Sequence, residues 1–170
     1  MGEIRELTIA QALRRIKDIK GKIAKHAQNA QSSVTHKTKS VPAYVFSTEL
    51  ELSQQFVSEM IDLQTRVAVA NTKATVDFEG KSRPLTWCTK RLAELKGAIA
   101  WHEALPVRAQ DKTVEEESVW NSKLADNVSV EVEYTCHLPE AKRAERVAAL
   151  QAKFAELNDL VETMNHRTPV

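Results

Sequence analysis

The chain has 170 residues, 42% apolar and 28% charged, with only four glycines and 5% aromatics. Those proportions are close to globular averages and exclude wholesale disorder; scarce aromatics and glycines disfavour a compact sheet sandwich and favour helices zipped by aliphatic seams. A net charge of +1 gives no whole-molecule pull towards nucleic acid or anionic lipid, although the first forty residues carry +6 and the remainder −5. Opposite ends of similar size suggest self-association as readily as a foreign polyanion.

In chain order, the opening Met1 to Glu6 lacks the apolar core of a signal peptide. No stretch approaches the roughly 20 apolar residues of a membrane span. Two cysteines, Cys88 and Cys136, are too few for a disulfide framework, so the expectation is a cytoplasmic protein with no membrane role. Thr8 is placed to cap a first helix running to about Ala30. Its apolar positions are Ile9, Ala12 with Leu13, Ile16, Ile19, Ile23, Ala27 and Ala30, and Arg14, Arg15, Lys17, Lys22 and Lys25 lie on the other face. The narrow stripe resembles a coiled-coil seam on a rod of roughly 33 Å.

Residues 31–47 break this pattern, with a short strand expected around Ala43–Phe46. Thr48 and Glu51 form the sequence of a capping box for a second helix. Its seam is Leu52, Phe56, Met60, Leu63, Val67 and Ala70, and it should pair antiparallel with the first helix. Asn71 ends that helix. A hairpin over 71–86 follows, with Thr75 to Phe78 as a strand, Glu79-Gly80 as the turn and Lys81 to Leu85 returning.

Thr86 then caps a third helix that buries Cys88, Leu92, Leu95, Ile99 and His102, with Leu85 outside it and a stop near Leu105-Pro106. Residues 107–138 read as an irregular and β insert. The acidic run Glu115–Glu117 is expected in a solvated loop, and Asp126-Asn127 turns the alternating strand Val128, Val130, Val132, Tyr134, Cys136 back on 118–124. Pro139 opens a last helix seamed by Ala144, Val147, Leu150, Phe154, Leu157, Val161 and Met164, ending near Asn165-His166-Arg167. The expected fold is a single, mainly α domain: long antiparallel helical hairpins, about four helices, with two small β-hairpins as an α+β appendage. Narrow seams leave flanking apolar residues wet in one chain, which predicts a dimer or higher oligomer.

Three segments carry a resemblance: Thr8-Ile9-Ala10-Gln11-Ala12-Leu13, then Asn71-Thr72-Lys73-Ala74-Thr75-Val76 with Gly80 and Leu85-Thr86, and lastly Asn165-His166-Arg167-Thr168. In these and in its order of elements the chain resembles an uncharacterised septicolysin-like family of small bacterial and phage proteins. The acidic segment before Val128 lies outside the resemblance. The resemblance implies a helical fold of unassigned function with no catalytic residues to transfer. The pore-forming activity in the family label does not transfer, because the chain shows neither a secretion route nor an apolar inserting element.

Chemistry-bearing motifs are few. Cys136 and His137 are adjacent on a strand and point to opposite faces, and Cys88 and His102 are four turns apart, so no metal site is expected. There is no nucleophile elbow, phosphate loop or dinucleotide fingerprint; no catalytic residue and no cofactor are assigned, and an enzyme is the less favoured class. Two charged features remain. Arg14, Lys17 and Lys20 on the first helix offer a polyanion contact, with a solvated face as the plainer alternative. Around the first hairpin, Asn71, Thr72, Lys73, Thr75, Lys81, Arg83, Trp87 and Lys90 bring a helix end, a turn and a helix start together. That cluster suits a small anionic ligand such as a nucleotide, with Trp87 stacking on a base; the alternative is that Asn71 caps its helix and Trp87 packs the hairpin. The leading expectation is a non-enzymatic, homo-oligomeric helical interaction protein.

Overall fold

The computed structural model describes residues 6–170, and the opening segment read above for a signal peptide lies largely outside them. Among the described residues the chain forms four helices and two small antiparallel sheets, mainly α with a small β part. In order these are α1 (Ile9–Ser33), α2 (Phe46–Lys73), β1 (Thr75–Phe78), β2 (Lys81–Pro84), α3 (Leu85–Glu103), β3 (Lys112–Asn121), β4 (Asp126–Thr135) and α4 (Glu140–Arg167). The described residues form two compact units, one from residues 6–90 with 158–170 and one from 91–157.

In the first unit, Thr8 caps α1 as its sequence requires. The Thr8 hydroxyl accepts from the Gln11 amide while the Gln11 side chain accepts from the Thr8 amide. Two of the four orphan donors of the helix start are thereby satisfied. The expected seam is buried at Ile9, Ala12, Ile16, Ile19 and Ala30, whereas Leu13 stands 47% exposed. Helix α2 covers this stripe with Leu63, Val67 and Ala70. Cross-contacts Arg15–Glu59, Lys22–Phe56 and His26–Glu49 step in opposite sequence directions along the two helices. Each fully buried aliphatic side chain contributes about 1.5–3 kcal/mol.

Helix α2 corrects two expectations. It starts at Phe46 with Val45 as its cap residue and no side-chain cap, so neither the Ala43–Phe46 strand nor the Thr48–Glu51 capping box forms. An isolated strand there has no neighbour to pair its backbone, while Glu49, in the first turn, reaches α1 instead. A carboxylate at that position is favoured by the helix dipole. At the other end Asn71 does not terminate the helix. It continues to Lys73, and the Ala74 amide donates to Ala70 O at 2.9 Å.

The β1–β2 hairpin pairs Thr75 with Pro84 and Phe78 with Lys81. Glu79 and Gly80 form its turn with φ of 51° and 72°. Two successive positive φ values give the turn whose twist matches the flanking strands. Gly80→Ala should therefore lower stability by about 1 kcal/mol, because a Cβ in the left-handed region costs about 1–2 kcal/mol and a stiffer unfolded chain returns part of it. Urea denaturation of the variant measures this. The hairpin buries Val76 and Phe78, and Leu85, which begins α3 one residue before the expected Thr86 cap, is fully buried with its amide donating to Ala74 O. Residues 168–170 join this unit: the Ile9 amide donates to Thr168 O, the Val170 amide to Leu7 O, and the Arg66 guanidinium to the Val170 carbonyl.

The second unit corrects the reading of 107–127 as irregular. Residues Lys112–Asn121 form a regular ten-residue strand, and the turn falls at 122–125 rather than at Asp126-Asn127. Asn121 organises that turn through its side-chain oxygen, which accepts from the Lys123 amide, and Ala125 takes up the positive φ. The acidic run stands in β3, not in a loop. It is tolerated because all three carboxylates are exposed, and two find partners: Glu115 pairs with Arg108, and Glu116 accepts from the Ser129 hydroxyl. Arg108 also lies 3.6 Å from the centroid of the Tyr134 ring. Leu95 and Leu157 are the buried anchors of this unit, while Val147, Leu150 and Phe154 are only half-buried.

Candidate functional site

The eight polar and aromatic residues expected to form a ligand site all fall within the first unit, around β1–β2 and the start of α3. Arg83 and Trp87 are engaged with each other: the guanidinium carbon lies 4.7 Å from the indole centroid. The indole also meets Phe78, tilted at 6.5 Å. The Thr72 hydroxyl donates to Val69 O of its own helix. Thr75, Lys81 and Lys90 are exposed, and Asn71 is half-buried within α2. Lys73 alone of the eight borders the adjoining cleft of about 280 Å³, with Val69, Ala70 and Val170. The structure thus brings Arg83 and Trp87 together as a stacked pair and leaves the other groups along the surface.

On α1, Arg14, Lys17 and Lys20 follow one another at i, i+3, i+6 and are all exposed, a row along one side of the helix. Two other cations of that helix, although exposed, also reach across to α2. Arg15 bonds Glu59 at 2.7 Å, and the Lys22 ammonium sits 5.0 Å from the Phe56 centroid. Both therefore belong to the α1–α2 seam. A cleft of about 460 Å³ opens beside them, where Arg14, Arg15 and Arg66 are matched by Asp18, Glu59 and Asp62. Equal numbers of opposite charges give this cleft no preference for anions.

Further along the same seam, Glu49 Oε2 lies 2.7 Å from His26 Nδ1 and 3.0 Å from Asn29 Nδ2. The His26 ring stacks on Phe56 at 5.5 Å. Hydrogen bonding from His26 and then Asn29 holds the Glu49 carboxyl below its ordinary value near 4.5. A carboxyl lowered on folding contributes stability that is full above its unfolded pKa and is lost as pH falls through the folded one. Glu49→Gln should accordingly show a shallower loss of stability than the parent as pH drops below about 4.5, read by thermal melts across an acid series. Burial pushes the Cys88 thiol up, consistent with a packed, unreactive side chain.

The surface feature that sequence reading missed lies on α2. Beyond its seam with α1, the helix carries a second row at alternating three- and four-residue spacing: Ser47, Leu50, Gln54, Val57, Ile61, Gln64, Ala68 and Asn71. Leu50 is 40% and Ile61 52% exposed, and Val57 is half-buried. At 100° per residue this row lies about a third of a turn from Phe56, Leu63 and Val67. The charges of α2, from Glu49 to Lys73, all fall outside it. A strip roughly 36 Å long at 1.5 Å per residue thus carries no charge. The missed signal was available: the same heptad test, applied to the side of α2 away from the stronger seam, finds it.

No family model, curated protein or solved structure matches the chain. Among the described residues, no helix is long and apolar enough to cross a membrane.

Proposed function

We propose that the chain is a non-enzymatic, homo-oligomeric interaction protein of the cytoplasm, in which long antiparallel helical hairpins associate through their exposed faces. The observation that carries this reading is the uncharged strip of α2, with Leu50, Val57 and Ile61 left open to water. Soluble surfaces are about a quarter to a third charged, and a continuous charge-free strip on a long helix has the composition of a helix–helix contact. Covering those side chains supports association against the several kcal/mol of lost rigid-body freedom. The thin interior of the second unit, where α4 keeps Val147, Leu150 and Phe154 half-buried, supports the same reading.

Multi-angle light scattering over a wide concentration range tests it. The mass should rise from 19.1 kDa towards an integral multiple as concentration increases. A single 19.1 kDa species at every concentration would defeat the proposal.

A further inference from the structure

We infer that the partner on the uncharged strip of α2 is a second copy of the same helix, lying antiparallel about a two-fold axis level with Glu59. This deepens the proposed self-association and rests on it. In that register Val57 and Ile61 of one copy meet Ile61 and Val57 of the partner subunit on either side of the axis. Gln54 faces Gln64 of the partner subunit, Leu50 faces Ala68 of the partner subunit, and Ser47 faces Asn71 of the partner subunit.

Three features of α2 favour this pairing. A parallel pair sets every residue opposite itself whatever the sequence, but an antiparallel pair requires unlike positions to suit each other. Here they do: β-branched meets β-branched, amide meets amide, a large aliphatic meets a small one, and hydroxyl meets amide. Each Gln can donate to and accept from the other, which satisfies both inside an otherwise apolar contact. Parallel pairing would also set Ala68 against Ala68 of the partner subunit, leaving a gap that antiparallel packing fills with Leu50.

Helix dipoles provide the third feature. Antiparallel copies oppose their dipoles, whereas parallel copies would align them. Nearest the axis the flanking positions Ser58 and Thr65 are uncharged, and the acidic Glu51 lies a heptad further out.

Spin labels on the full chain, with Cys88→Ala and Cys136→Ser removing the native thiols, measure the register. A label at Ser58→Cys should lie within about 20 Å of its counterpart, while one at Thr72→Cys should lie about 40 Å away, 26 helical rises at 1.5 Å each. Short distances at both sites would establish a parallel pair and overturn the inference. Intermediate or long distances at residue 58 would place the contact on another face and overturn it too. A second measurement does not depend on labelling: Gln54→Glu should weaken dimerisation at least tenfold, and adding Gln64→Lys should restore it by pairing opposite charges twice across the axis. Unchanged affinity in the single variant, or no recovery in the double, contradicts the register. A dimer that fails these tests refutes only this interface, whereas a wild-type chain that stays monomeric refutes the proposed function as well.

Discussion

Phe78→Ala should destabilise the folded chain by about 3–5 kcal/mol, the range for truncating a buried aromatic ring. Phe78 is 3% exposed and sits at the last position of β1, next to the Glu79-Gly80 turn. Its ring faces Trp87 on the first turn of α3, and Trp87 in turn holds Arg83. Removing the ring empties the site where hairpin and helix start meet, and a four-residue strand has few ladder bonds to compensate. With a domain stability of about 5–15 kcal/mol, that loss takes a large share of the total. A fall in Tm on the order of 10 °C is expected by circular dichroism, at 2–4 °C per kcal/mol for a chain of this size. A drop below 1 kcal/mol would mean the hairpin is not a packed part of the unit.

Ile19→Ala should cost about 2–5 kcal/mol, because Ile19 is fully buried in the α1 seam and a cavity between two rigid helices relaxes little. Ile61→Ala gives the informative contrast. Its side chain is 52% exposed within one chain, so truncation should change the stability of the isolated subunit by no more than about 0.5 kcal/mol. Where copies associate, however, the same change removes contacts made by two equivalent isoleucines. Stability at high protein concentration then falls, since association stabilises the folded chain by mass action. Urea midpoints at two protein concentrations separate the cases. Ile19→Ala lowers both midpoints, and Ile61→Ala lowers the one measured at high concentration.

Elements governed by local chemistry were legible in the residues. Thr8 could be read as a cap because a hydroxyl before an apolar run meets the free amides of a helix start, and the structure adds Gln11 as its reciprocal partner. Glu79-Gly80 was legible because a two-residue turn between alternating runs needs positive φ, which Gly adopts freely. The seams of α1 and α2 followed from heptad spacing, and Ile16, Ile19, Leu63 and Val67 are buried as that spacing requires. What escaped depends on tertiary partners. The start of α2 moved because Glu49 is drawn to His26 and Asn29, residues twenty or more positions away. Strand β3 was hidden because its apolar and acidic residues do not alternate cleanly, and the ladder with β4 is what holds it. Arg15 and Lys22 are solvated as their face of the helix implies, but their partners Glu59 and Phe56 on α2 could not be read from spacing within α1.

The candidate sites were less legible than the fold. Arg83 and Trp87 suggested a place for an anionic, stackable ligand, yet a cation and an indole four residues apart can equally satisfy each other, and here they stack. The α2 strip was passed over for another reason. Its glutamines and serine interrupt the apolar count, although at a helix–helix contact such residues set register rather than forbid association.

Sedimentation equilibrium of the parent chain beside Ile61→Glu tests most directly whether α2 holds copies together. A glutamate at the middle of the strip would be buried without a counter-ion in the dimer but fully solvated in one subunit. The parent should sediment as an associating species above 19.1 kDa and the variant as a 19.1 kDa monomer with undiminished helicity. Equal masses for the two proteins would contradict the account.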